Sequence, residues 1–123
     1  MAGAAAAFYL NRSGDERVAI EVHMLLKGIC SKVEATSKGK VWDVWIGDRS
    51  LEKSRSFFIR LKDTKDFLTE CEDEMLDLQI DEQTHPSYLE ISAGCNQEED
   101  KVAMSHLLEA LVTVGGVAGE PEK

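Results

Sequence analysis

Few side chains in this sequence have both a type and a spacing that suit chemistry. Glu82-Gln83-Thr84-His85 has the E-x-x-H spacing that sets a carboxylate and an imidazole on one helical face in carboxylate-bridged iron sites. Those sites need a second such motif and two further glutamates. This motif stands alone, and Pro86 follows it and removes helical geometry. The residues are therefore expected in an exposed turn. His23, His85 and His106, with Cys30, Cys71 and Cys95, show no spacing of a tetrahedral zinc set. No metal and no cofactor is expected.

Thiol chemistry needs only a histidine nearby in space. Cys95 lies one residue before a predicted helix start, a position that lowers a thiol pKa. Cys30 falls on the outer side of a predicted strand, and Cys71 on a core stripe. Nothing specifies a histidine partner, so a thiol-dependent enzyme is kept only as an alternative. The carboxylates Asp66, Glu70, Glu72, Asp73, Glu74 and Asp77 crowd one predicted helix. An acid/base couple needs one of them buried, and a solvated acidic face needs nothing further. There is no G-x-S-x-G elbow, no G-x-x-x-x-G-K-[ST] loop and no G-x-G-x-x-G. Gly115-Gly116-Val117-Ala118-Gly119 follows a predicted helix rather than a strand, so it is not a phosphate loop. No catalytic residue is assigned, and the chain is expected not to be an enzyme.

Charge is the stronger signal. The 123 residues carry 14 basic and 23 acidic side chains, a formal net charge of −9. Residues 1–65 hold 12 of the bases, and residues 66–123 hold 15 of the acids. Such asymmetry suits a basic aromatic sheet that binds nucleic acid, an acidic face that docks a basic protein, or two halves that attract each other within the fold. Three cysteines without a paired spacing suit a reducing compartment, hence the cytoplasm. Asn11-Arg12-Ser13 matches a glycosylation triplet of a kind common by chance. No apolar run approaches a membrane span, and Ala4–Leu10 lacks the flanks of a secretory signal.

The elements that must position these residues follow from periodicity. Ser13-Gly14-Asp15-Glu16 has the form of a capping box, and Val18, Val22, Leu25, Leu26 and Ile29 make a helical stripe. A rival alternation, Val18, Ile20, Val22 and Met24, would read as a strand. From Ile29 the period becomes two, and three short strands form a meander: one ending near Thr36, Val41–Ile46, and Arg55–Lys62. A second helix carries Leu68, Cys71, Met75 and Leu78 inward, with acids at its C-terminal end opposing the helix dipole. Leu76–Glu82 and Ser87–Ala93 read as a second hairpin. Asn96-Gln97-Glu98-Glu99 caps a last helix with Met104, Leu107, Leu108 and Leu111 on one side.

The predicted order is α-β-β-β-α-β-β-α. It implies an α+β fold: a two-layer arrangement of about five mostly antiparallel strands, with the helices on one face. Residues 13–114 form the predicted domain, residues 1–12 a partly flexible segment and residues 115–123 a disordered tail. In element order, size and acidity the chain is similar to the small acidic chaperones that accompany bacterial secretion effectors. That resemblance implies a homodimer.

Trp45, Phe58 and Tyr88 fall opposite the core-facing positions of their strands, near Lys32, Arg60 and Lys62. A sheet wet on one side alternates to polar residues, so these rings predict a covered second face. The cover is expected to be a protein partner or a second copy, with Trp45, Phe58, Arg60 and Tyr88 as contacts. The acids Asp66, Glu70, Asp73 and Glu74 are expected to recruit a basic segment. The predicted function is a non-catalytic protein–protein interaction module of adaptor, chaperone or inhibitor type. Single-stranded nucleic-acid binding by the meander 27–65, with Trp42 or Trp45 and Phe58 stacking on bases, is the alternative.

Overall fold

A computed structural model describes residues 5–36, 39–46, 55–94 and 97–119, apart from the side chain of Cys71. The chain runs β1 (Ala5–Leu10), α1 (Glu16–Ile29), β2 (Lys32–Thr36), β3 (Val41–Ile46) and β4 (Arg55–Asp63). A 3₁₀ turn (Thr64–Phe67) then leads into α2 (Leu68–Asp77). β5 (Ser87–Ala93), α3 (Glu98–Leu111), a second 3₁₀ turn (Val112–Val114) and β6 (Gly116–Ala118) complete the chain. One six-stranded sheet, in the order β2-β3-β4-β5-β1-β6, joins them, and every pair is antiparallel. The fold is α+β.

The ambiguous stretch after residue 15 is a helix. Its cap is Asp15, whose side chain accepts from Val18 N at 3.0 Å, rather than the Ser13 of the expected box. Val18, Ala19, Val22 and Leu26 are buried, while Ile20 and Met24 of the rival alternation are 56% and 64% exposed. Helical spacing put the four on one side, and the core selected that side.

Three expectations about the strands change. Leu76–Glu82 is not a strand. α2 runs on to Asp77, and Gln79 takes a positive φ of 60°. Asp81 Oδ1 then accepts from Gln83 N (2.8 Å) and Thr84 N (2.9 Å). That side chain captures the amides a strand ladder would have used. The partner of β5 is instead β1, from the segment expected to be partly flexible, with Tyr9 opposite Tyr88. Ala5–Leu10 is uncharged throughout and suits a strand with neighbours on both sides, buried on both faces. The expected disordered tail contributes β6, which pairs with β1. Gly116 has φ of 154° where the chain turns into this strand, and a Cβ there would collide with the Tyr9 carbonyl oxygen.

The helices do not share one face. Ala6, Phe8 and Leu10 of β1 join the main core with α1 and α3. Tyr9 points the other way and packs with Met75 of α2, Tyr88 and their neighbours Phe67, Leu78 and Val117. α2 therefore lies on the opposite face, because large side chains project from both sides of β1 and β5 and each side needs cover.

Candidate partner-binding surface

The surface is built from α2 and the part of its sheet face that α2 leaves uncovered. The helix has little intrinsic support: no side-chain cap at its N-terminus and no base in its last turn. What holds it is tertiary. Met75, Tyr9 and Tyr88 are each at most 3% exposed, with ring pairs Tyr9–Tyr88 at 5.8 Å and Phe67–Tyr88 edge-on at 6.4 Å. The Tyr9 hydroxyl donates to Glu74 Oε1 at 2.6 Å, a charge-assisted bond. Lys62 Nζ reaches Glu90 at 2.9 Å and Glu70 at 4.0 Å, and lies 4.2 Å above the Phe67 ring.

Two of the expected contact residues are thereby reassigned. Tyr88 is buried beneath the chain's own α2, and Glu74 is half-buried as the tether of Tyr9. Asp66, Glu70 and Asp73 remain exposed, Asp66 in the 3₁₀ turn before the helix.

One flank of α2 borders a cleft of about 250 Å³ lined by Leu68, Met75, Leu76 and Ile80, with Glu72, Asp81 and Glu82 around it. Leu76 is 67% exposed. Sequence reasoning missed this cleft because Leu76–Glu82 read as a strand. A leucine one position off the stripe of Leu68, Met75 and Leu78 was the signal for it.

Across β2, β3 and the Phe58 end of β4, no helix covers this face among the described residues. The register places Lys32 beside Trp45, Asp43 beside Phe58 and Arg60 beside Glu90 there. Trp45 and Phe58 are half-buried, and each ring carries a cation: Lys32 Nζ 4.9 Å from the Trp45 centroid and Arg60 Cζ 4.8 Å from that of Phe58. Trp42 is fully buried on the other side, its indole N–H donating to His23 Nδ1 at 3.2 Å. That ring therefore has no face for a base.

The two charge halves meet inside the fold. Lys62 pairs with Glu70 and Glu90, and Arg55 with Glu99 and Asp100. Burial pushes the Cys30 thiol up to about 11, which leaves it protonated at neutral pH. The Cys95 expectation lies outside the described residues, as does the Cys71 side chain. Among the described residues no group of three His, Cys, Asp or Glu could hold a metal, and no helix is long and apolar enough to cross a membrane.

Glu82 and His85 lie in the turn after α2, where the His85 carbonyl accepts from Thr64 Oγ1 at 2.7 Å. Burial pulls the imidazole below its ordinary 6.5 against the opposing charge of Asp81. The Asp81 carboxyl is held below its ordinary 3.8 by the amides of Thr84 and Gln83. Both groups bind protons less readily folded than unfolded, so the turn loses stability as pH falls. The His85 part is complete above 6.5 and is lost on acidification from there down to its folded value. The Asp81 part is lost below 3.8, as pH falls through its folded value. Amide protection at Gln83 and Thr84 is expected to drop in those two windows, and uniform protection through both would refute the assignment.

No family model matches the chain, and no characterised protein or solved structure shows significant similarity to it. Of the three features behind the likeness to secretion chaperones, element order differs from the one observed, β-α-β-β-β-α-β-α-β, while size and acidity are unchanged.

Proposed function

We propose that this chain is a non-catalytic protein-interaction module that takes a basic amphipathic segment along α2. The observation that carries the reading is the apolar cleft of Leu68, Met75, Leu76 and Ile80 set among Glu72, Asp81 and Glu82. Apolar anchors of a helix or strand would fill the floor, and lysines or arginines at its edges would meet the carboxylates. An exposed leucine at such a cleft has its largest gain from a partner's side chain. The uncovered aromatic strip of β3 and β4 supplies a second contact area, with Trp45, Phe58 and Arg60 as its anchors. The same proposal puts the module in the cytoplasm, where a free thiol such as that of Cys30 persists.

The probe is a fluorescein-labelled synthetic peptide with leucines at helical spacing and lysines elsewhere. Its anisotropy is expected to rise on titration with the protein at micromolar concentrations, and binding to weaken several-fold as salt approaches ~0.15 M. Leu76→Gln keeps a good helix former at an exposed position and is expected to weaken binding about tenfold. No anisotropy change at ~100 μM, or binding indifferent to Leu76, overturns the reading.

A further inference from the structure

We infer that the cavity between Trp45 and Phe58, on the sheet face that α2 leaves uncovered, takes an arginine side chain of a partner protein, with Asp43 as its counter-ion. The inference rests on the protein-interaction reading above and names what its second contact area recognises.

The register builds the cavity. On this face Asp43, Phe58 and Ser92 lie side by side across β3, β4 and β5. Trp45 and Ser56 form the next row, with Gly94 beside them just past the end of β5, its N–H donating to the Ser56 carbonyl at 2.9 Å. Trp45 and Phe58 therefore stand on a diagonal, about 7–8 Å apart at the backbone, which leaves a gap that both rings border. The floor of that gap is low because Ser56, Ser92 and Gly94 are small. A Cβ at Gly94 would come within 2.4 Å of Ser56 Oγ, so only glycine fits beside that serine without a shift. The result is a cavity of about 220 Å³, room for a single long side chain.

The lining selects a cation. Asp43 is the one charged residue among the described residues that line the cavity. Its carboxylate is half-buried, and among the described residues it accepts no hydrogen bond and makes no ion pair. It also stands directly opposite Glu34 of β2. Like charges opposite each other on neighbouring strands repel, and a positive group placed beside them relieves this. Lys32 does so for Glu34, at 3.2 Å. Each ring already draws a cation of this chain to one side, Lys32 for Trp45 and Arg60 for Phe58, yet neither base lines the cavity between the rings. An arginine suits the space better than a lysine. Its guanidinium is planar, stacks on ring faces and is more weakly hydrated than an ammonium. Its fork of N–H donors would meet the Asp43 carboxylate, with the Ser56 and Ser92 hydroxyls as further acceptors.

The probe is N-acetylarginine methylamide, titrated into isotope-labelled protein at constant ionic strength and followed by NMR. Saturable shifts are expected at the Trp45 indole N–H and at the amides of Asp43, Ser56 and Ser92, with a Kd on the order of 1–10 mM, as suits one side chain. The lysine derivative is expected to bind at least about fivefold more weakly, and the uncharged citrulline derivative to give no saturable shift. Asp43→Asn removes the charge opposite Glu34, so it is expected to fold at least as stably as the wild type and yet to weaken arginine binding about tenfold. The indole signal of Trp42, buried on the other face, reports that the variant is folded. No saturable shift by ~100 mM, equal binding of the arginine derivative and either control, or binding indifferent to Asp43→Asn overturns the inference. A protein that binds the leucine–lysine peptide but not the arginine derivative loses this inference and keeps the module reading. One that binds the arginine derivative but not the peptide loses the α2 cleft and keeps the arginine site.

Discussion

Replacing Trp42 with alanine is expected to lower the unfolding free energy by about 3–5 kcal/mol, a large share of what a domain of this size has. The residue sits on β3 with no exposed surface and belongs to the core formed with α1 and α3. Two costs combine. The ring leaves a cavity that its neighbours cannot close, since interiors are close-packed and relax only in part. His23 Nδ1 also loses the indole N–H that donates to it. Trp42→Phe separates them: most of the apolar volume stays and the hydrogen bond goes, at about 1–2 kcal/mol. Urea unfolding followed by far-UV circular dichroism measures both. Equal losses in the two variants would show that the hydrogen bond, not the packing, dominates.

Met75→Ala is expected to act locally and to cost about 2–5 kcal/mol within the α2 layer. Met75 is the buried residue that α2 contributes to the small cluster with Tyr9 and Tyr88. A ten-residue helix without a side-chain cap is marginal in water, so its folded population depends on that packing. Amide exchange is the suitable readout, because it resolves opening of one layer from opening of the whole. Protection over residues 68–78 should collapse while β4 and β5 stay protected, and binding of the leucine–lysine peptide should fall with it. Uniform loss of protection would mean that α2 and the sheet unfold together, and that the second cluster is not a separate layer.

The parts of this fold that were legible in the sequence are those where local pattern and tertiary packing agree. Phe57, Ile59 and Leu61 alternate with Phe58 and Arg60, and the inward set of β4 is the buried set. Met104, Leu107, Leu108 and Leu111 step by three and four, and all four are buried in α3. The failures lie where the pattern had two solutions. Leu76, Leu78 and Ile80 alternate as a strand would, yet α2 and the Asp81 turn take them because Met75 is anchored under the tyrosines. Ala5–Leu10 has no periodicity at all, since a strand buried on both sides needs none.

The candidate surface divides in the same way. Trp45, Phe58, Arg60, Asp66, Glu70 and Asp73 could be chosen from residue type and spacing, and they remain at the surface or half-exposed. Tyr88 and Glu74 could not be excluded by the same reasoning, because their cover comes from Met75 and Tyr9, distant in the chain.

By itself the sequence determined the α+β class, the three-strand meander and the two charge halves, because each depends on neighbours within a few residues. Tertiary structure alone decided which strand pairs with β5, on which face α2 lies and which rings stay partly open. Those outcomes depend on contacts between residues tens of positions apart, where many pairings satisfy the local pattern and only the buried area of the whole molecule selects among them.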